Sequence, residues 1–292
     1  MSHPLVSVVI PTYNRAAHIT CAINYVQNQS FRDIEIIVAD DGSIDNTAEL
    51  VYGLAATDSR VRYVKNQANK GAQSARNLGI KSAIGEWVAF QDSDDEWFPN
   101  SLELRLAEAK NRKVNVVHSE CLIKYAATNQ RSLYGVRPLS GNIYRDVLSA
   151  PGPVFPTLLV HISALKYIDY LDEAIVSFQE WDTCIRLAKE YEFGFVEKPT
   201  FVYHRHTDET ISSDIARGAR GYAQIVEKHK EEIKYILGRN VLAEHYTTIA
   251  KFYASDIKAN YAGQIRKYLA LAMINYPSRR HTYHFLRSLL NR

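Results

Sequence analysis

The chain has 292 residues, 46% hydrophobic and 23% charged, with 13 Gly and 9 Pro. A chain of this length and composition can bury a core without disulfides or metals, and is not disordered, collagen-like or a disulfide scaffold. The formal net charge of +3 averages two unlike parts: residues 220–292 carry 13 Lys and Arg against 5 Asp and Glu, a net of +8, and residues 1–219 carry 22 against 27, a net of −5. Such asymmetry can mark contact with a membrane surface or nucleic acid, and the acidic body argues against a nucleic-acid groove, so no nucleic-acid partner is expected.

In chain order, Val6 to Ile10 is a short apolar β-branched run ended by Pro11, the pattern of a fully buried parallel strand. Ala16 to Gln29 places Ile19, Ile23 and Val26 at helical spacing, Ile34 to Ala39 is a second strand stopped by Asp40-Asp41-Gly42-Ser43, and Asn46 to Ala56 is a helix. A third strand (Val61 to Lys65), a helix (Ala72 to Ala83) and a fourth strand (Glu86 to Gln91) follow. Strands alternating with helices predict βαβ units in a mostly parallel sheet. Beyond these lie a helix at Ser101 to Lys110, a strand at Val114 to Lys124 and a polar, turn-rich stretch at 126–152 expected to be a mobile loop. A strand-like run at Val154 to Ile162, a helix at Trp181 to Tyr191 and a strand at Phe193 to His204 complete the body; from Asp214 to Tyr276 the pattern is helical, and an amphipathic helix at Arg280 to Leu290 ends the chain.

Cys21, Cys121 and Cys184 form no C-x-x-C pair, which excludes a zinc ribbon and fits a reducing compartment. No apolar run reaches the roughly 18 residues of a bilayer-spanning helix, and no signal-peptide pattern is visible. A cytoplasmic protein, at most peripheral at the inner face of the membrane, is expected.

In an open α/β sheet ligands sit at the carboxyl ends of the strands. Here those ends carry Pro11-Thr12-Tyr13-Asn14-Arg15, Asp40-Asp41 and Asp92-Ser93-Asp94-Asp95. No glycine-rich phosphate loop is present, so acidic groups would meet a phosphate only across a divalent cation, and Asp-x-Asp at a strand end suits oxygen-ligated Mg²⁺ or Mn²⁺. The alternative is that Asp92 to Asp95 cap a helix starting near Pro99.

With VSVVIPTYNR, IEIIVADDGSIDNT, NKGAQSARNLGI, GEWVAFQDSDDEWFP and FQEWDTCIRLA in this order over about residues 4–206, the chain resembles the family-2 inverting glycosyltransferases, nucleotide-sugar enzymes of the GT-A fold and, by analogy, of bacterial surface-glycan synthesis. The resemblance implies a Rossmann-like α/β domain over 1–213, flanked by helices, and a helical C-terminal extension over 214–292. It implies that Pro11 and Tyr13 hold the base with the Tyr13 ring on its face, that Asp41 accepts from the base edge, and that Arg76 approaches base or phosphates. Asp92 would lie near ribose and metal, Asp94 would be the main metal ligand, and His206 would reach metal or diphosphate, with His204 the weaker choice. The general base of such enzymes is an Asp following an acidic residue. Here Gln179-Glu180-Trp181-Asp182 departs from that pattern, placing Glu180 at the base position with Asp182 the second choice. Trp97, Trp181 and Tyr203 are candidates to line the sugar or acceptor pocket. The implied activity is metal-assisted transfer of a sugar, from a UDP-sugar first, to a hydroxyl of a saccharide or lipid-linked acceptor. The C-terminal helices would contact the membrane surface or a second copy. Two other classes compete: a sugar nucleotidyltransferase, disfavoured because PTYNR stands where a phosphate loop belongs, and a non-catalytic nucleotide-sugar-binding module, hinted at only by Gln179.

Overall fold

The computed structural model describes residues 4–126, 128–205, 214–256 and 259–290. The elements are β1 (Val6–Thr12), α1 (Ala16–Gln27), β2 (Ile34–Asp40), α2 (Thr47–Ala55), β3 (Val61–Lys65), α3 (Ala72–Ser82), β4 (Trp87–Phe90), β5 (Glu96–Trp97), α4 (Ser101–Arg112), β6 (Val116–Tyr125), β7 (Arg131–Leu133), α5 (Tyr144–Ser149), β8 (Leu159–His161), α6 (Ile162–Tyr167), α7 (Gln179–Ala188), β9 (Phe193–Arg205), α8 (Ile215–Ile236), α9 (Arg239–Ser255), α10 (Ala262–Asn275) and α11 (Arg279–Leu290). Among the described residues the strands form one sheet of order β3-β2-β1-β4-β8-β6-β9-β5, with β7 on β6.

Every residue of β1 and β2 is buried, which is why both read as unbroken apolar runs rather than as alternating ones. β1 runs parallel to β2 and β4, β2 to β3, and β6 to β9. The sheet is mixed rather than mostly parallel: β8 runs against both β4 and β6, and β5 and β7 are short antiparallel additions. β2 and β3 lie on one side of β1 and β4 on the other, so strand order reverses at β1 and opens a crevice at its carboxyl end. α3 closes on this centre through Gly79. A Cβ there would overlap Val9 Cγ1 and lie 3.3 Å from Ala39 Cβ, so the glycine is a packing requirement that outweighs its poor helix propensity of about 1 kcal/mol.

The chain forms two compact units: Met1–Ile143 with Gly152–Glu173 and Arg186–Thr207, and Tyr144–Pro151 with Ala174–Ile185 and Asp208–Arg292. The first holds the whole sheet. The second holds α5, most of α7 and α8 to α11, so these units do not follow a single cut at 213/214. Trp181 shows why: fully buried, it packs on Tyr222 of α8 with ring centroids 4.6 Å apart, and its indole N–H donates to the Val147 carbonyl at 2.6 Å.

The stretch 126–152, expected as a loop, carries β7 and α5. Neither had a strong signal, because β7 is exposed throughout and α5 buries only Val147 and Leu148. Val154 to Ile162 divides into a 3-10 turn at Phe155–Thr157, β8 and the start of α6. Among the described residues no helix is long and apolar enough to cross a membrane.

Candidate active site

The loops after β1 and β2 fasten to each other. Asn14, in the left-handed region at φ 51°, donates its N–H to Ser43 Oγ at 2.8 Å and accepts from the Ile44 N–H at 2.9 Å. The Ala16 N–H donates to Asp45, whose other oxygen caps Thr47. Gly42, at φ 89°, lets the β2 loop pass the backbone of Ala68, where a Cβ would come within 3.0 Å. This fixed frame leaves the Tyr13 ring 43% exposed, whereas Pro11 is buried inside β1.

Asp40 and Asp41 are both buried but differ in use. Asp40 accepts from the Ser43 N–H and the Tyr63 hydroxyl, and so closes its own turn. Asp41 accepts from Asn66 Nδ2 at 2.8 Å and from the N–H groups of Lys70 (3.0 Å) and Gly71 (2.6 Å). It thereby holds the segment that leads into α3, the helix that presents Arg76.

Arg76 is buried. It donates to Asp92 at 2.7 Å, lies 4.5 Å above the Phe155 ring and meets Gln73 at 3.3 Å. Asp94 is partnered by Arg15 at 3.7 Å. Asp95 is buried, and burial with the charges of Asp92 and Asp94 pushes its carboxyl well above the usual carboxylate range. The four residues do not cap α4, which starts only at Ser101; they form the turn between β4 and β5. Among the described residues, Thr12 Oγ1, Gln73 Nε2 and Arg76 Nε are buried without a hydrogen-bond partner.

Asp92 and Asp94 are the residues that would hold a divalent cation. Their side chains are 30% and 29% exposed, and oxygen is the donor that hard cations take. Among the described residues no group of three or more His, Cys, Asp or Glu could hold an ion by itself. The donor set therefore fits a cation shared with a diphosphate, not a closed protein cage. His206 lies outside the described residues.

Glu180 and Asp182 stand in the first turn of α7, within the second unit. Glu180 is half-buried. Asp182 is fully buried and accepts from His229 Nε2 at 3.0 Å and Lys228 Nζ at 2.8 Å. Trp97 and Trp181, expected at a sugar pocket, are core residues. Trp97 is buried under the Arg105 guanidinium 4.5 Å away, and Trp181 is buried in the second unit. Tyr203 is half-buried against the edge of Tyr134. Arg15, Asn66, Gln73 and Phe155 join the site without having been singled out. Arg15, inside the PTYNR turn, and Gln73, inside NKGAQSARNLGI, lay in segments that carried a signal.

The chain matches the model of "Glycosyl transferase family 2" over residues 7–156. It is 29% identical over 280 residues to the GalNAc(5)-diNAcBac-PP-undecaprenol beta-1,3-glucosyltransferase of Campylobacter jejuni, covering 92% of this chain and 86% of that one. It is 36% identical over 135 residues to the UDP-Glc:alpha-D-GlcNAc-diphosphoundecaprenol beta-1,3-glucosyltransferase WfgD of Escherichia coli, covering 46% and 51%. It spans only about a third of the length of longer glycosyltransferases from Rickettsia. In fold it is similar to S. aureus TarS 1-349 in complex with UDP-GlcNAc, with a TM-score of 0.75 at 19% identity, covering 97% of this chain and 88% of that one. The ordered crevice at the β1 and β4 ends and a family match across half the chain agree: the protein is a transferase belonging to glycosyl transferase family 2.

Proposed function

We propose that the chain transfers a sugar from a UDP-sugar to a hydroxyl of a lipid-linked saccharide, with inversion. The observation that carries this is the pairing of an exposed Tyr13 ring with the buried carboxylate of Asp41 in one fixed frame. An aromatic face offers stacking to a base. A carboxylate has about four acceptor positions, of which Asp41 uses three, so one remains for the uracil N–H. The buried and unpartnered Thr12 hydroxyl, Gln73 amide and Arg76 Nε offer hydrogen bonds to an acceptor-rich ligand such as a ribose diphosphate. UDP-Glc in the name of WfgD supports the donor class, and the diphosphoundecaprenol of WfgD and the PP-undecaprenol of the C. jejuni relative support the acceptor class.

A divalent cation at Asp94 and Asp92, when bound, would supply charge stabilisation to the departing diphosphate. Arg76 and Arg15 pair with those carboxylates. Glu180 serves as general base, removing the proton of the acceptor hydroxyl as it attacks the anomeric carbon. Asp182 is not proposed as that base, because Lys228 and His229 already engage its carboxylate. α11 carries Tyr283 and Leu286, 58% and 54% exposed, on the same helix as Arg279 and Arg280, and is proposed to rest on an anionic membrane surface. Vesicle flotation with and without residues 279–292 tests that contact; equal flotation refutes it.

The central test is product formation from UDP-, GDP-, CMP- and dTDP-sugars with Mn²⁺ and a synthetic diphosphoprenyl-linked saccharide. Transfer from a UDP-sugar, lost in Glu180→Gln with UDP binding retained, supports the proposal. Full activity of Glu180→Gln removes the base assignment.

A further inference from the structure

The helical extension was expected to serve location or assembly, yet one face of α8 is committed to the segment that carries Glu180. Arg217 Nε donates to the Val176 carbonyl at 2.8 Å, and the Gln224 side chain holds the Val176 N–H and the Ala174 carbonyl, each at 3.0 Å. Gly221 lets the helix backbone touch Ser177: a Cβ there would lie 2.5 Å from its carbonyl oxygen and 2.7 Å from its nitrogen. Phe178, at φ 56°, is a bulky residue in the left-handed region immediately before α7. Its ring is caged by Trp181, Tyr222 and Phe252. Such strain persists only where the surroundings over-determine it, and it clusters where geometry matters to function.

The last contact along this face is ionic. Asp182 Oδ1 takes His229 Nε2 at 3.0 Å and Lys228 Nζ at 2.8 Å, and His229 Nδ1 faces Glu232 at 2.8 Å. The imidazole thus stands between two carboxylates, one at each ring nitrogen. Two residues after Glu180, the first turn of α7 is thus bolted to α8.

We infer that Lys228 and His229, acting through Asp182, are positioning residues that hold the Glu180 carboxylate in its working orientation. This rests on Glu180 being the base. The Asp182 contact adds the ionic hold on this turn to the hydrogen bonds and packing at 174–178, and misplacement of a reacting group by about an ångström costs on the order of a hundredfold in rate.

Glutamine can place its amide nitrogen where Nε2 stands and keep the Asp182 bond, whereas asparagine reaches only the Nδ1 position. His229→Asn is therefore expected to lower kcat about 30-fold with the KM for donor within about twofold, and His229→Gln to restore kcat to within about threefold of the parent. Lys228→Met, at a side chain 33% exposed and so safer for folding, is expected to lower kcat about fivefold at unchanged KM. Activity is read with the UDP-sugar selected by the donor panel, and binding by titration with UDP. Parent-like kcat in both His229→Asn and Lys228→Met overturns the inference, as does an equal loss of kcat, UDP affinity and melting temperature in His229→Asn and His229→Gln. Glu180→Gln is run alongside. If it stays active the base assignment fails; if it is dead while His229→Asn is not, the positioning inference fails alone.

Discussion

Replacing Asp41 by alanine tests whether one carboxylate serves both fold and donor. The side chain is 2% exposed and accepts three hydrogen bonds, one from Asn66 and two from backbone N–H groups at the entrance to α3. A hydrogen bond to a charged group contributes about 1.5–3 kcal/mol, and a buried N–H left without its acceptor costs about 1–3 kcal/mol. The three bonds share one carboxylate and are not additive, so a loss of about 3–4 kcal/mol is expected for Asp41→Ala. Asp41→Asn keeps one acceptor oxygen and turns an N–H₂ toward a donor, for a loss of about 2 kcal/mol. Asn66→Ala, which breaks the side-chain contact with Asp41 and a longer one with Ser74 Oγ at 3.3 Å but leaves the two backbone bonds to Asp41, is expected to cost about 1 kcal/mol. Urea unfolding gives these values at constant m, and UDP titration should show affinity reduced at least about 30-fold in Asp41→Ala, equivalent to about 2 kcal/mol. A parent-like urea midpoint together with UDP affinity within about twofold would refute the reasoning, because it would leave Asp41 neither bracing the α3 entrance nor touching the donor.

Three further expectations concern separate parts of the molecule. Tyr13→Ala removes a stacking face of about 1–3 kcal/mol and should weaken UDP binding about 10- to 100-fold by titration, with little change in melting temperature since the ring is 43% exposed. Gly79→Ala drives a methyl group into Val9 and should destabilise by about 1–3 kcal/mol in denaturant unfolding, despite the better helix propensity of alanine. Burial lowers the His118 imidazole from 6.5 to about 4, so between these values the unfolded chain binds a proton that the folded one does not. Its contribution is therefore complete above pH 6.5 and is lost as pH falls toward 4, by about 3 kcal/mol at the acid end. His118→Phe should flatten that part of the stability–pH curve, and an unchanged slope between pH 6.5 and 4 would show that the folded ring titrates normally.

The N-terminal half was readable because its physics is local. Val6 to Thr12 and Ile34 to Asp40 are buried on both faces, so apolar runs announced them, and the polar residues that follow mark the strand ends where the site assembles. What escaped depends on partners distant in sequence. β8 is three residues long and holds its place only because β4 and β6 flank it. Trp97 and Trp181 looked like pocket aromatics because sequence does not show that Arg105 covers one and Tyr222 the other. Asp182 could be singled out as a carboxylate, but its engagement depends on His229, 47 residues away on another helix.

The charge of the body also takes on a different meaning. Of its carboxylates at the strand ends, Asp40 closes its own turn, Asp41 commits three of its acceptor positions to the α3 entrance, and Asp95 is pushed by burial toward its neutral form. The two that stay partly exposed, Asp92 and Asp94, each face an arginine, Arg76 and Arg15. Locally these charges cancel, so the acidic sequence does not create a strongly repulsive field where a diphosphate would lie. Addition of one divalent cation would leave the group with a charge matching the roughly two negative charges of a nucleoside-diphosphate sugar. Without Arg76 and Arg15, the same carboxylates would absorb the cation's charge and leave little for the donor. If the proposed donor site is right, the two arginines would share donor recognition with the acidic cluster, although only Arg76 was marked for it by the sequence.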